Sequence, residues 1–124
     1  MLQLYYFPDN ASLAPHFLLA ETHVDYSLRL VDRNSNAQKS KEYLKLNPAG
    51  RIPTLVHDEL VLFESPAICI YIAELDAGSQ YIPPVGHLNR PLFFQWLSNT
   101  RHGSCAVRNI LRIDGSHYRP VVSE

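Results

Sequence analysis

Three short stretches hold the side chains best suited to chemistry: Tyr5, Asn10 and Ser12 near the N-terminus, Arg51-Ile52-Pro53 in the middle, and Glu64-Ser65 shortly after. Ser12 and Ser65 each stand where a helical pattern begins, so each hydroxyl is by default an N-cap that accepts from an early amide. A helix start is also an anion site, because unpaired amides and the positive end of the dipole coincide there. Glu64 is a favourable charge beside such an end. Ile52-Pro53 is an X-Pro bond, a type that is cis in about 5% of cases in folded proteins. Arg51 in that turn is by default solvated. Tyr5 reads as packing and Asn10 as a turn residue.

Other chemistries lack their residues. The histidines, at positions 16, 23, 57, 87, 102 and 117, have no ligand-like spacing and no paired cysteines, so no metal is expected. There is no glycine-rich phosphate loop, and Ser, His and Asp occur without the strand-turn-helix setting of a nucleophile elbow. Cys69 and Cys105 form no Cys-x-x-Cys pair, and Cys69 sits in an apolar run where a buried thiol is ordinary. A formal net charge of −1 and a pI of about 6.6 give no electrostatic reason to expect nucleic acid or an anionic membrane as partner. With 46% hydrophobic and 19% charged residues over 124 positions, the chain has the apolar content of a globular protein. No basic leader precedes Pro8-Asp9-Asn10 and no apolar run approaches the ~20 residues of a bilayer span, so a soluble, unprocessed, cytoplasmic protein is expected.

The elements that must position these groups follow from pattern and punctuation. Leu2 to Phe7 is short, apolar and aromatic-rich and stops at Pro8, which reads as a strand. A helix capped at Ser12 follows, tolerating Pro15 in its early turn, and Tyr26 to Val31 reads as a second strand, parallel to the first. A short helix from about Ser40 to Leu46 ends at Asn47-Pro48-Ala49-Gly50. Thr54 to Val56 and Leu60 to Phe63 flank His57-Asp58-Glu59 as a hairpin. Ser65-Pro66 opens the clearest helix, with Ile68, Ile72 and Leu75 at helical spacing before Gly78. The order βαβ-α-ββα describes an α/β domain with a four-stranded mixed sheet over residues 1–80. Residues 81–87 have linker composition, and Asn89-Arg90-Pro91 starts a helix with Leu92, Phe93, Trp96 and Leu97 on one stripe, the start of an all-α second domain over 88–124. From Arg101 the basic residues are all arginine, the periodicity fades, and His102-Gly103-Ser104 and Asp114-Gly115-Ser116 read as turns.

Four blocks, in order, resemble the N-terminal domain of cytosolic glutathione transferases, especially the bacterial beta-type ones: Tyr5-Tyr6 with Pro8, Asn10 to His16, Asn47 to Leu55, and Glu64 to Ile68. The resemblance covers residues 1 to about 97 and implies a thioredoxin-like fold. It also implies a glutathione transferase that joins the glutathione thiol to small hydrophobic electrophiles, with glutathione as co-substrate, no other cofactor, and a homodimeric or self-associating state. Ser12 would be the donor to the sulfur, with Tyr5 and Asn10 in reserve. Glu64 and Ser65 would take the γ-glutamyl end, Ile52 before a cis Pro53 would offer its backbone to the cysteinyl part, and Arg51 would meet the glycine carboxylate.

Three departures qualify this resemblance. Ala11 replaces the cysteine of the beta-type members, which removes mixed-disulfide chemistry at that position. His23 stands where glycine is usual, adding strain of about 1 kcal/mol if the backbone there is left-handed. The tail after residue 100 does not fit the family's helical second domain, and most of that domain is missing. A chain so built would expose an apolar face that favours association. The alternative to an enzyme is a non-catalytic glutathione-binding or vestigial module without the electrophile pocket.

Overall fold

The computed structural model of the chain describes residues 1–76 and 81–98. The turns expected at 102–104 and 114–116, Cys105, Gly78 and the side chain of Trp96 lie outside the described residues. In chain order the elements are β1 (Leu2–Tyr6), α1 (Leu13–Glu21), β2 (Tyr26–Leu30), α2 (Lys41–Leu46), β3 (Thr54–His57), β4 (Leu60–Phe63), α3 (Ser65–Leu75) and α4 (Arg90–Ser98), with a 3₁₀ turn at Ala37–Lys39. The strands form one sheet in the order β2-β1-β3-β4. β1 runs parallel to β2 and antiparallel to β3, and β3 is antiparallel to β4. This is the expected thioredoxin-like α/β fold. No helix among the described residues is long and apolar enough to cross a membrane.

Strand alternation divides the core into two layers. Leu2, Leu4 and Leu55 face one side, where Ala14, Leu18 and Leu19 of α1 and Ile68, Cys69, Ile72 and Ala73 of α3 cover them. Tyr5 packs on the other, with Phe7 and Ala37, around Val31, Tyr43 and Ile52. At nine residues α1 is too short to persist alone. Each fully buried Leu or Ile contributes about 1.5–3 kcal/mol, so burial rather than propensity holds it. Pro15 falls in its first turn, where the missing N–H has no intrahelical acceptor to lose. α4 lays Phe93 and Leu97 into the first layer, together with Ile82, and so covers part of the face that the first domain was expected to expose. Burial pushes the Cys69 thiol up to about 12, which keeps it protonated and inert at neutral pH.

Three local expectations are corrected. The Ser12 side chain makes no capping bond to α1. The N-cap of α3 is Glu64 rather than Ser65, and Ser65 is already helical. His23 is not left-handed: among the described residues other than glycine, positive φ occurs at Asp9, Asn36, Asp58 and Glu64. α1 ends instead through extended Thr22, whose N–H donates to Leu18 O at 3.0 Å and whose hydroxyl donates to Leu19 O at 3.0 Å. The strain tied to a left-handed His23 therefore does not arise.

Candidate functional site

The turn between α2 and β3 is built by side chains beneath it. Asn47 closes α2 and turns the chain, with Gly50 N–H donating to Asn47 O at 2.9 Å and Ala49 N–H donating to Asn47 Oδ1 at 3.0 Å. Gly50 sits at φ 61, where glycine is favoured; a Cβ there would meet the movable end of the Lys39 side chain at 2.8 Å and the Gln38 carbonyl at 3.0 Å, so the backbone conformation is the main reason for glycine. The Ile52–Pro53 bond is cis. The Arg51 carbonyl accepts from the Tyr43 hydroxyl at 2.5 Å and from Asn47 Nδ2 at 3.0 Å, while the Arg51 side chain is exposed. Burial is the main reason the Tyr43 phenol lies above its ordinary range; a bond from Thr54 opposes this and the neighbouring Tyr5 adds to it.

The loop from β1 to α1 is tied by Ser12. Its hydroxyl donates to Phe7 O at 2.9 Å or to Asn10 Oδ1 at 2.6 Å, and accepts from Phe7 N–H at 3.2 Å. Asn10 Oδ1 also accepts from Ser12 N–H at 2.7 Å. Ser12 is 1% exposed. A serine before a helix reads as a cap because sequence shows the helix amides and not the Phe7 carbonyl folded against it.

The start of α3 meets that loop. The Ser65 hydroxyl donates to Ala11 O at 2.7 Å, a bond between residues 54 apart in sequence. Glu64 precedes it at φ 75, ψ 114, a backbone region hostile to side chains that is held with about 1–3 kcal/mol of strain. Such strain gathers at binding sites. Glu64 is exposed and stands beside the positive end of the helix.

These three segments form a cleft of about 350 Å³ lined by Ala11, Asn47, Ala49, Arg51, Ile52, Pro53, Phe63, Glu64, Ser65 and Pro66. Arg51, Ile52, Pro53, Glu64 and Ser65 are thus brought together. Ser12, Asn10 and Tyr5 do not line the cleft. Tyr5 instead faces a shallower concavity of about 490 Å³ with Leu30, Val31 and Tyr43, its ring 5.9 Å from that of Tyr43. That concavity is larger, but although Ser40, Glu42 and Lys45 border it, its lining surface is mainly apolar, whereas the smaller cleft exposes polar and apolar surface in similar measure, so the smaller cleft is the candidate site. Asn47 was legible as a helix terminator and as the first residue of a family block, but not as a support of the turn, and Tyr43 carried no sequence signal of a role near the cleft. Among the described residues no group of three or more His, Cys, Asp or Glu side chains is placed to hold a metal.

The family profile described as "Glutathione S-transferase, N-terminal domain" matches residues 1–74. The chain is 32% identical over 99 residues to "Glutathione S-transferase GstA" of Escherichia coli O157:H7, a match spanning 78% of this chain and 49% of the relative. The chain therefore spans about half the length of this curated relative. A crystal structure of a glutathione transferase from Methylococcus capsulatus superposes with a TM-score of 0.70 at 37% identity, covering 79% of this chain and 49% of that one. The glutathione transferase URE2P8 of Phanerochaete chrysosporium, solved with oxidised glutathione, superposes with a TM-score of 0.65 at 31% identity, covering 77% and 45%.

Proposed function

The chain belongs to the glutathione S-transferase family, and from that premise we propose that its cleft binds glutathione and presents the thiol for transfer to a small hydrophobic electrophile. The observation that carries this reading is the convergence of Arg51, Ile52, Pro53, Glu64 and Ser65 on one cleft. The γ-glutamyl carboxylate takes the amides and positive end of α3, and the Glu64 carboxylate takes its ammonium. The Ile52 backbone pairs with the cysteinyl part in strand-like fashion, and Arg51 meets the glycine carboxylate.

A free thiol has a pKa near ~8.5, so donors at the start of α1 raise its reactive fraction at neutral pH. Ser12 is the proposed donor, with Asn10 behind it; Tyr5, the other reserve, faces the second concavity and packs against Tyr43 instead. The one hydroxyl proton of Ser12 is committed to Phe7 O or Asn10 Oδ1, so donation to sulfur requires a rotation that exchanges one of those acceptors. With an aryl halide the thiolate sulfur forms the bond to carbon and the halide leaves with its electron pair. Ala11 offers no thiol, which disfavours thiol-disulfide exchange at that position. A homodimeric, cytoplasmic protein completes the proposal, with Leu60 and Phe63 of β4 exposed as apolar contact residues.

A second reading, binding without turnover, is favoured by one observation: no described residue of α4 lines the cleft. The glutathione site is then self-sufficient, and no described residue of α4 supplies a wall for the electrophile. Calorimetric titration with glutathione, run beside conjugation of an activated aryl halide, decides between them. Binding with product supports the transferase, binding without product supports the module, and no binding defeats both.

A further inference from the structure

Behind the cleft lies a closed set of buried hydrogen bonds that all lead to one carbonyl. Asn47 Nδ2 donates to Arg51 O at 3.0 Å and to Thr54 Oγ1 at 3.3 Å. The Tyr43 hydroxyl donates its single proton to Arg51 O at 2.5 Å. The 2.7 Å contact between the Tyr43 and Thr54 hydroxyls must then use the Thr54 proton, since the Tyr43 proton is already committed. Every donor in the set has an acceptor and no proton is left over. Asn47 and Thr54 are 1% and 0% exposed and Tyr43 is 5% exposed, so water does not replace a lost member. Fully satisfied buried networks of this kind hold one geometry.

We propose that Tyr43 and Thr54 are positioning residues for the cysteinyl part of glutathione, acting through the Arg51 carbonyl on the backbone of Ile52. The inference rests on the glutathione site proposed above. Its physical step is the planarity of the peptide unit: Arg51 C=O and Ile52 N–H share one rigid plane, so two donors fixed on the oxygen fix the direction of the amide on the other side. Ile52 lines the cleft, whereas Tyr43 and Thr54 do not and are not expected to touch the ligand. Tyr43 comes from α2 and Thr54 opens β3, so the turn is braced from both flanks. The raised phenol of Tyr43 keeps that donor protonated through the neutral range.

The test compares glutathione with γ-glutamylethylamide, which keeps the γ-glutamyl end and its amide N–H but lacks the cysteinyl carbonyl to which the Ile52 N–H would donate. Binding of both is measured on the full chain by calorimetry or ligand-observed NMR, with circular dichroism confirming the folded fraction. Tyr43→Phe is expected to weaken glutathione about tenfold and to leave γ-glutamylethylamide within about twofold. Thr54→Val is expected to do the same, and Thr54→Ser, which restores the hydroxyl, to recover most of the loss. If Tyr43→Phe does not fold, the Thr54 pair carries the comparison alone. Equal losses on both ligands, or undiminished glutathione affinity, overturn the inference while leaving the site intact. Failure of the wild-type chain to bind glutathione overturns the site and this inference together.

Discussion

Replacing Glu64 by glycine is expected to yield a chain no less stable than the wild type that binds glutathione about 10–100-fold more weakly. The two halves of this result have separate causes. Glu64 sits at φ 75, ψ 114, where a side chain is held under about 1–3 kcal/mol of strain. Glycine takes positive φ freely, and its extra loss of backbone freedom on folding, about 0.5–1 kcal/mol, is smaller than that strain. The fold therefore gains or stays level. The ligand loses the partner of its ammonium, and a hydrogen bond to a charged group is worth about 1.5–3 kcal/mol, the source of the expected fall in affinity. Denaturant unfolding and calorimetry on the same preparation read both effects. Unchanged affinity would remove Glu64 from the site.

The second large effect lies away from the cleft. Phe93→Ala is expected to lower stability by about 3–5 kcal/mol, the usual cost of emptying a buried aromatic site. Phe93 is 0% exposed and packs in the same layer as Leu18, Ile68 and Ile72. Against a typical total of about 5–15 kcal/mol this is a large share, so the helix after the linker segment behaves as part of the first core. Leu88, 89% exposed just before that helix, is the control, and Leu88→Ala should stay within about 0.5 kcal/mol. Equal effects in urea unfolding would mean that α4 is not seated on the core.

What was legible in the sequence was whatever period and punctuation encode locally. Leu2 and Leu4 alternate, Pro8 ends the first strand, and Ile68 and Ile72 recur at helical spacing, and each lies in the element expected of it. The block from Asn47 to Leu55 and the pair Glu64-Ser65 were visible as motifs, and the structure puts both on one cleft. Three features were not legible because they depend on folding. Ser12 and Ser65 read as caps, but their acceptors are the carbonyls of Phe7 and Ala11, brought close only by the first loop. The positive φ at Glu64 has no signal in a glutamate, a residue that does not favour that region. The Tyr43, Asn47 and Thr54 network joins a helix, its cap and a strand, and no spacing rule connects those residues.

An amide-resolved NMR titration of the isotopically labelled full chain with glutathione tests the central claim most directly. The cleft reading expects the largest shift changes at Ala11, Arg51, Ile52, Glu64 and Ser65, saturating together along one binding curve. Absence of saturable changes, or changes centred on Leu30, Ala37 and Tyr43 at the other concavity, would contradict it.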